Sequence, residues 1–310
     1  MKNIKLLTLI SFPLFLVACG GGGGGGGGSS AGGVTVTPFT SFGAIQPSST
    51  VSFQGSATGA SYTSNVGTGF VTSLGPSSTT SYGGSTAQET INSSGYAASL
   101  TITPNIGPST TYTNLTTVNS GPLAGVAVYG SSGGTNEVLY AYANAAGWNY
   151  QTFGVWVTGE GTGSGYAGAA SVGAITPVSG MPATGTGTFT GYSAGVYTAA
   201  TGQPFLASAD MSAAVNFGSR SIVFNTTNTA ISAFNGSGSS AQSGLNLSGT
   251  LNYSSGANTF SGTVTSANTL LTGTANGQFY GPTANEIGGT YAVKAATGVQ
   301  AMGGAFGGKR

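Results

Sequence analysis

Apolar and polar residues alternate with a period of two along much of the C-terminal half, and this pattern constrains the fold most strongly. In residues 209–217 (ADMSAAVNF) the odd positions are apolar and most even positions are polar, and residues 245–253 (LNLSGTLNY) alternate in the same way. Such a strand has one face for a core and one for water, as antiparallel sheets with a solvated surface require. No segment shows a sustained helical period. The pattern predicts an all-β fold.

From residue 184 onward the sequence predicts eight strands joined mainly by short links. Eight strands suffice to close a small barrel filled by its own side chains, and closure leaves no unpaired sheet edge. We therefore expect an eight-stranded antiparallel up-and-down β-barrel over residues 176–310. The predicted strands are 184–192, 206–217, 220–228, 244–253, 259–265, 270–280, 286–295 and 299–307.

The preceding residues, 34–175, are predicted to form a second, looser β-rich region. Clusters of Gly, Ser, Thr and Pro separate its strand-like pieces, and residues 159–168 with 175–177 are interpreted as the crossing into the barrel. The strand-like pieces are 34–40, 49–53, 97–103, 126–129 and 149–157.

Trp148, Tyr150 and Trp156 cluster at the most aromatic predicted strand. They are candidates for a ligand-binding patch. Aromatic residues on an alternating strand more often fill a core, and the core-filling interpretation is favoured here.

The N-terminus has the features of a secretory signal. Lys2 and Lys5 precede an apolar run at residues 6–17, which is too short to span a membrane comfortably. The run ends in LVAC, which resembles a bacterial lipobox, so we expect residues 1–18 to be a signal peptide. Cys19, the only cysteine, is then the predicted lipidation site, carrying diacylglycerol and acyl chains such as palmitate.

Nine consecutive glycines follow Cys19, and residues 19–33 are interpreted as a lipidated tether. A glycine run has no side chains to bury and behaves as a random coil, with a root-mean-square span of about 20 Å. Gly20 replaces the aspartate that usually retains lipoproteins on the inner membrane. This resemblance to a lipobox sequence therefore points to an outer-membrane protein held by a lipid anchor.

Charge and residue types argue against several functions. Charged residues make up 4% of the chain and the net charge is +1, so no basic stripe exists for nucleic acid. The sequence contains no histidine, the usual general base and metal ligand. Its five acidic residues show no paired spacing. We expect no enzyme activity, no metal and no cofactor. The acidic residues are Glu89, Glu137, Glu160, Asp210 and Glu286.

Residues 278–291 read QFYGPTANEIGGTY and resemble the FYGPxAxExGG segment of the transferrin-binding protein B family, in its β-barrel domain. The chain end, AFGGKR, is similar to the closing F-G-x-K-R of that family. Looser matches occur at residues 150–156 and 181–191. The resemblance is good over residues 148–310 and only architectural before them.

The resemblance implies a surface lipoprotein with a handle-like domain followed by an eight-stranded barrel. Relatives bind an extracellular partner, often an iron- or haem-carrying protein, for uptake by an outer-membrane transporter. The implied partners here are an extracellular ligand, a TonB-dependent transporter and a surface-lipoprotein translocator. Transferrin-binding protein B has two lobes, whereas this chain has room for one, and its transferrin-contacting loops have no match here. The resemblance leaves the ligand unidentified.

The motif is interpreted as a turn between two barrel strands, in which its residues have structural roles. Gly281 permits an unusual backbone angle, Pro282 stiffens the turn, and Gly288 with Gly289 allows close backbone approach. Glu286 is either a ligand contact or, as favoured, a carboxylate that accepts backbone N–H bonds. Lys309 and Arg310 are expected to form a solvated terminus. The motif residues are Phe279, Tyr280, Gly281, Pro282, Glu286, Gly288 and Gly289.

Two other functions remain open at this point. The Ser-, Thr- and Gly-rich composition with little charge also suits an adhesive or structural envelope lipoprotein. An integral outer-membrane barrel would need long lipid-facing apolar strands with aromatic girdles, and residues 209–217 and 245–253 are better explained by an inward apolar face.

Overall fold

The structure, a computed structural model, describes residues 41–310 except 80–84, 95, 105–106, 143–145 and 235–237. The predicted signal peptide, Cys19, the tether and the predicted strand at 34–40 lie outside the described residues. Within the described ranges, no helix has the length and apolar character needed to cross a membrane.

The first half of the described chain forms a closed antiparallel barrel of eight strands, the first barrel. Its ring runs β1-β4-β5-β6-β7-β8-β9-β10 and closes where β10 pairs with β1, from Gln54 opposite Gly173 to Thr63 opposite Ser164. Strands β2 and β3 also pair with β1. The bounds are β1 Thr50–Ser64, β2 Val71–Leu74, β3 Ser78–Thr79, β4 Ser85–Ile91, β5 Ala97–Thr103, β6 Thr110–Thr117, β7 Ala127–Ser132, β8 Asn136–Ala141, β9 Gln151–Thr158 and β10 Ser164–Gly173.

The second half forms another closed eight-stranded antiparallel barrel, the second barrel. Strands β11, β12, β13 and β15–β19 follow one another around the ring, which closes between β19 and β11, and β14 pairs with β13 outside it. Three short 3-10 turns occur at Phe42–Ala44, Val178–Gly180 and Ser243–Leu245. The bounds are β11 Thr186–Thr198, β12 Pro204–Asn216, β13 Ser221–Ser232, β14 Ser240–Ala241, β15 Leu247–Asn252, β16 Thr259–Ser266, β17 Thr272–Tyr280, β18 Glu286–Lys294 and β19 Ala301–Lys309.

The predicted all-β fold with a C-terminal up-and-down barrel is confirmed, and each of the eight predicted strands overlaps one ring strand. The looser β-rich region is itself a closed barrel. The interpretation of residues 159–168 as part of the crossing is wrong, because they form the β9–β10 turn and half of β10, which pairs with β9 and β1. The division into domains at residues 175 and 176 stays a prediction.

The interior of the second barrel is an apolar cluster centred on Phe279. Its ring contacts Phe189 and Phe217 at centroid distances of 6.2 and 6.0 Å, and Tyr253 and Phe260 at 5.4 Å. Phe279 is completely buried. Buried apolar residues of the alternating strand pattern therefore fill the interior of this barrel.

The interior of the first barrel is more polar. Glu89 on β4 is 2% exposed, and Tyr140 on β8 donates a hydrogen bond to its Oε2 atom across the barrel at 2.9 Å. Burial raises the pKa of Glu89 to about 7, and the hydrogen bond from Tyr140 lowers it. The indole Nε1 of Trp156, which shares the inward face with Tyr140, is enclosed without a hydrogen-bond partner.

The two barrels pack side against side. All eight residues of β9 are buried, because one face of this strand lines the first barrel and the other packs on the second. Ala194 on β11 and Ala305 on β19 belong to the same apolar cluster as the first barrel's core. A strand enclosed on both faces loses the apolar–polar alternation of a half-exposed one.

Candidate functional site

The FYG part of the motif binds the segment that links the two barrels. Ile175 forms a bridge with Tyr280, the Thr176 N–H donates to the Phe279 carbonyl at 2.8 Å, and the Gly281 N–H donates to the Ala174 carbonyl at 2.9 Å. The Thr176 hydroxyl also donates to the Gly281 carbonyl at 2.6 Å. The motif is therefore a short extension of the sheet onto the linker.

Glu286, at the start of β18, joins the two barrels through its carboxylate. It accepts backbone N–H bonds from Asn149 at 2.5 Å and from Tyr150 and Gln151 at 3.0 Å, all at the entry to β9. Burial raises the pKa of Glu286, whereas these N–H bonds and the charge of Lys309 lower it. Glu286 is 2% exposed. Its carboxylate accepts backbone N–H bonds, which is the structural role favoured from the sequence.

The motif glycines allow close approach, Gly281 and Gly288 at the junction between the barrels and Gly289 between β17 and β18 of the second barrel. Gly281 has a φ of +81°, and a Cβ there would lie 2.6 Å from the Tyr150 ring. A Cβ at Gly288 would lie 2.7 Å from Ser171 Oγ, and one at Gly289 would lie 2.2 Å from the Asn276 carbonyl oxygen. A Cβ at any of these three positions would therefore displace a neighbouring side chain or strand.

Tyr280 is buried, and its hydroxyl bonds to Ser171 Oγ on β10 at 2.8 Å. The Gln278 side-chain amide donates to the same hydroxyl at 2.7 Å. Pro282 belongs to the turn, where its carbonyl oxygen approaches Gly180 of the linker. These contacts lie at the end of the second barrel that carries the chain terminus.

A groove opens between the barrels at their other end, and we call it the end groove. It has a volume of about 380 Å³ and is bordered by the β1–β2 turn, the β9–β10 turn and the β11–β12 turn. The Val71 N–H donates to the Gly202 carbonyl at 2.7 Å and so connects the two barrels along its rim. Its lining is mainly apolar and includes Phe70, Val71, Leu74, Val157, Val196, Pro204 and Phe234.

Two of the five acidic residues of the chain, Glu137 on β8 and Glu160 in the β9–β10 turn, line the end groove. The β9–β10 turn is hydrogen-bonded to the β7–β8 turn just before Glu137, since the Glu160 N–H donates to the Thr135 carbonyl at 2.8 Å. Burial raises the pKa of Glu160, and the negative charge of Glu137 raises it further. The fold thus brings together two like charges that are distant in sequence.

Residues 181–310 match the protein family described as the C-lobe and N-lobe beta barrels of Tf-binding protein B. This range contains every strand of the second barrel and the complete motif at its junction. The second barrel is therefore similar to these β-barrels, and for that similarity we call it the transferrin-binding protein B-type barrel. The predicted resemblance is confirmed for these residues.

Solved structures that match most of this chain include transferrin-binding proteins and a surface lipoprotein. A transferrin-binding protein B mutant from Haemophilus parasuis Hp5 is 12% identical, with a TM-score of 0.44 over 88% of this chain and 78% of that one. The isotype 1 protein from serogroup B Neisseria meningitidis is 12% identical, with a TM-score of 0.39 and the same coverage. A structure described as a surface lipoprotein is 11% identical, with a TM-score of 0.43 over 82% and 98% of the two chains. No curated protein matches the sequence.

The three aromatic candidates lie beside the transferrin-binding protein B-type barrel and are largely enclosed. Trp148 is 2% exposed and packs on Phe153 and, across the junction, on Tyr192. Trp156 is 1% exposed and covers Gly168 inside the first barrel. Tyr150 is half-buried against Gly281. Both indoles are inaccessible to an external partner in this conformation.

Arg310 at the end of the second barrel is exposed, as expected of a solvated terminus, and its guanidinium also contacts the barrel. Its guanidinium carbon lies 5.4 Å from the Phe189 ring centroid and 5.5 Å from that of Phe217. The guanidinium N–H groups donate to the Thr283 and Ala284 carbonyls. A guanidinium is weakly hydrated and stacks on aromatic faces, so it closes this end of the barrel.

In the part of the chain that the structure describes, no three His, Cys, Asp or Glu side chains are grouped so that they could hold a metal ion. The carboxylates divide among different environments instead. Asp210 accepts a hydrogen bond from the Asn228 side chain on the second barrel, Glu89 lies inside the first, and Glu286 lies at the junction.

Sequence reasoning missed the end groove. Glu137 and Glu160 are separated by a complete strand, and each carries no motif of its own. Hairpin geometry could have indicated that Glu137 and Glu160 lie near each other, because the β7–β8 and β9–β10 turns of an up-and-down barrel lie at the same end.

Proposed function

We propose that this protein is an outer-membrane lipoprotein, exposed at the cell surface, that binds an extracellular protein. The observation that carries the proposal is the family match of residues 181–310, the transferrin-binding protein B-type barrel. Several similar structures are of transferrin-binding proteins B. By analogy, the ligand is an iron- or haem-carrying protein that is passed to a TonB-dependent transporter.

The anchor belongs to the same proposal. Attachment of diacylglycerol to Cys19, followed by removal of residues 1–18, would hold the chain in the outer membrane, because two or more acyl chains give lasting attachment. Residues 19–33 would then act as the tether for domains at 34–175 and 176–310. A surface-lipoprotein translocator would move the protein to the outer face. The protein is proposed to act by binding and not as an enzyme.

The proposal is tested on intact cells and then on purified protein. Protease treatment of cells is expected to degrade the protein while a periplasmic marker survives, and mass spectrometry is expected to find an acylated Cys19. The mature chain, residues 19–310 with Cys19→Ser so that it carries no lipid, is then incubated with extracellular fluid. We expect it to retain an iron- or haem-carrying protein. Protection from protease on intact cells would contradict the proposal, and retention of glycans or matrix alone would support an adhesive role.

A further inference from the structure

The end groove combines two carboxylates with apolar walls and no basic residue. Of the four basic residues that the structure describes, none lines it; these are Arg220, Lys294, Lys309 and Arg310. Glu137 Oε2 is enclosed and lacks a hydrogen-bond partner. A buried acceptor without a donor costs free energy, and two like charges in a partly desolvated groove repel each other.

The walls and rim supply apolar contact around this acidic pair. Phe70 and Val66, at the tip of the β1–β2 hairpin, are 36% and 66% exposed, whereas most large apolar side chains of the described chain are buried. Phe70 lines the groove, and Val66 contacts the β9–β10 turn at Gly163. Exposed apolar side chains beside a concave site are typical of a protein-binding surface.

We propose that the end groove receives an arginine or lysine side chain of the extracellular protein, with its flanking apolar residues packed against Phe70 and the groove wall. This inference rests on the proposed function and names the chemistry of its ligand. The cation would pair with Glu137 and Glu160 and supply the donor that Glu137 Oε2 lacks. Arginine fits best, because its planar guanidinium can bond two carboxylates while its apolar stem stays packed.

The groups facing the acidic pair set the pH dependence of binding. Tyr62 on β1 donates to the Thr158 carbonyl at 2.7 Å, and its pKa is raised to about 12 by burial and by the charge of Glu160. The pKa of Tyr129 on β7 is also raised, by burial first and then by the neighbouring Glu137 carboxylate. Both phenols stay neutral in the range where Glu160, with its raised pKa, takes up a proton. Cation binding is therefore expected to weaken as the pH falls.

The test uses two matched probes, the peptide amide acetyl-Leu-Arg-Leu and its counterpart with neutral citrulline in place of arginine. Binding to the mature chain with Cys19→Ser is followed by titration in NMR spectra. We expect the arginine peptide to bind about tenfold more tightly and to lose affinity with added salt. Equal affinity for the two peptides, or shifts that do not involve groove residues, would overturn the inference.

Variants locate the interaction. Glu137→Gln with Glu160→Gln is expected to abolish the preference for arginine, whereas the control Asp210→Asn keeps it, because Asp210 lies outside the groove and bonds Asn228. An arginine preference that survives the double variant would place the interaction elsewhere and overturn the inference.

The same variants separate this inference from the proposed function. If a partner retained from extracellular fluid binds the wild type and the double glutamine variant equally, the groove inference fails and the function stands. If the arginine peptide binds the groove but no extracellular protein is retained, the function fails and the groove chemistry stands.

Discussion

The two barrels have the same ring of eight antiparallel strands but enclose different interiors. The second is filled by aromatic rings around Phe279, whereas the first encloses Glu89, its partner Tyr140 and the unpaired indole N–H of Trp156. Strand number and closure therefore do not require one kind of core, and the more polar interior belongs to the barrel that supplies both carboxylates of the end groove.

The largest expected effect tests whether the two barrels unfold together or independently. Phe279→Ala is expected to lower the free energy of unfolding by about 3–5 kcal/mol, and Trp156→Ala by a similar amount, since each removes a buried aromatic side chain. Because the barrels share an apolar cluster, both variants should shift a single transition in urea denaturation. The exposed Val223→Ala is the control. Two separate transitions would show that the barrels unfold independently.

The junction between the barrels is tested at Glu286. Glu286→Ala is expected to cost about 3 kcal/mol, because three backbone N–H groups at the entry to β9 lose their acceptor. Glu286→Gln, which keeps one acceptor oxygen, should cost less. Urea denaturation measures both, and an alanine variant as stable as the wild type would refute the role of this carboxylate in joining the barrels.

The polar interior of the first barrel predicts a pH-dependent stability. The pKa of Glu89 is about 7 in the folded chain, above its usual value of 4.5, so its contribution is complete at low pH and is lost as the pH rises through about 7. Wild type should lose about 2 kcal/mol more than Glu89→Gln between pH values near 5 and near 8. Identical pH profiles for the two proteins would contradict the prediction.

Substitution of one glycine in each barrel compares how tightly the two interiors are packed. Gly168 lies opposite Trp156 in the first barrel, and Gly277 lies opposite Phe260 in the second. A Cβ would meet these rings at 2.4 and 2.5 Å, so Gly168→Ala and Gly277→Ala should each cost about 1–3 kcal/mol. Thermal unfolding gives the comparison. A neutral effect in one barrel only would identify the more loosely packed interior.

The smallest effect concerns the closing arginine of the second barrel. Arg310→Ala removes its contacts with Phe189 and Phe217 and should cost about 1 kcal/mol, because the guanidinium is partly exposed. Arg310→Lys should recover only part of this stability, since an ammonium cannot stack as a guanidinium does. Full recovery by lysine would indicate that charge alone is sufficient. Urea denaturation provides the values.

The sequence predicted the second barrel well for a physical reason. Residues such as Met211 and Val215 face an apolar core while their neighbours face water, so alternation survives in the sequence. In β9 and β10 the outer face packs on another barrel, and in β4 the inner face carries Glu89, so the pattern is lost. The motif could be placed because it is local. The end groove could not, because only folding brings Glu137 close to Glu160.

The central claim is that this protein captures an extracellular protein at the end groove. A photocrosslinking residue placed at the groove tests this claim most directly. Benzoylphenylalanine is introduced in place of Phe70 at the groove rim or in place of Val223, an exposed position on the second barrel away from the groove. Intact cells are irradiated in extracellular fluid, and adducts are identified by mass spectrometry. The account predicts an adduct with one extracellular protein at position 70, near an arginine or lysine, and none at 223. No adduct at 70, or equal adducts at both positions, would contradict it.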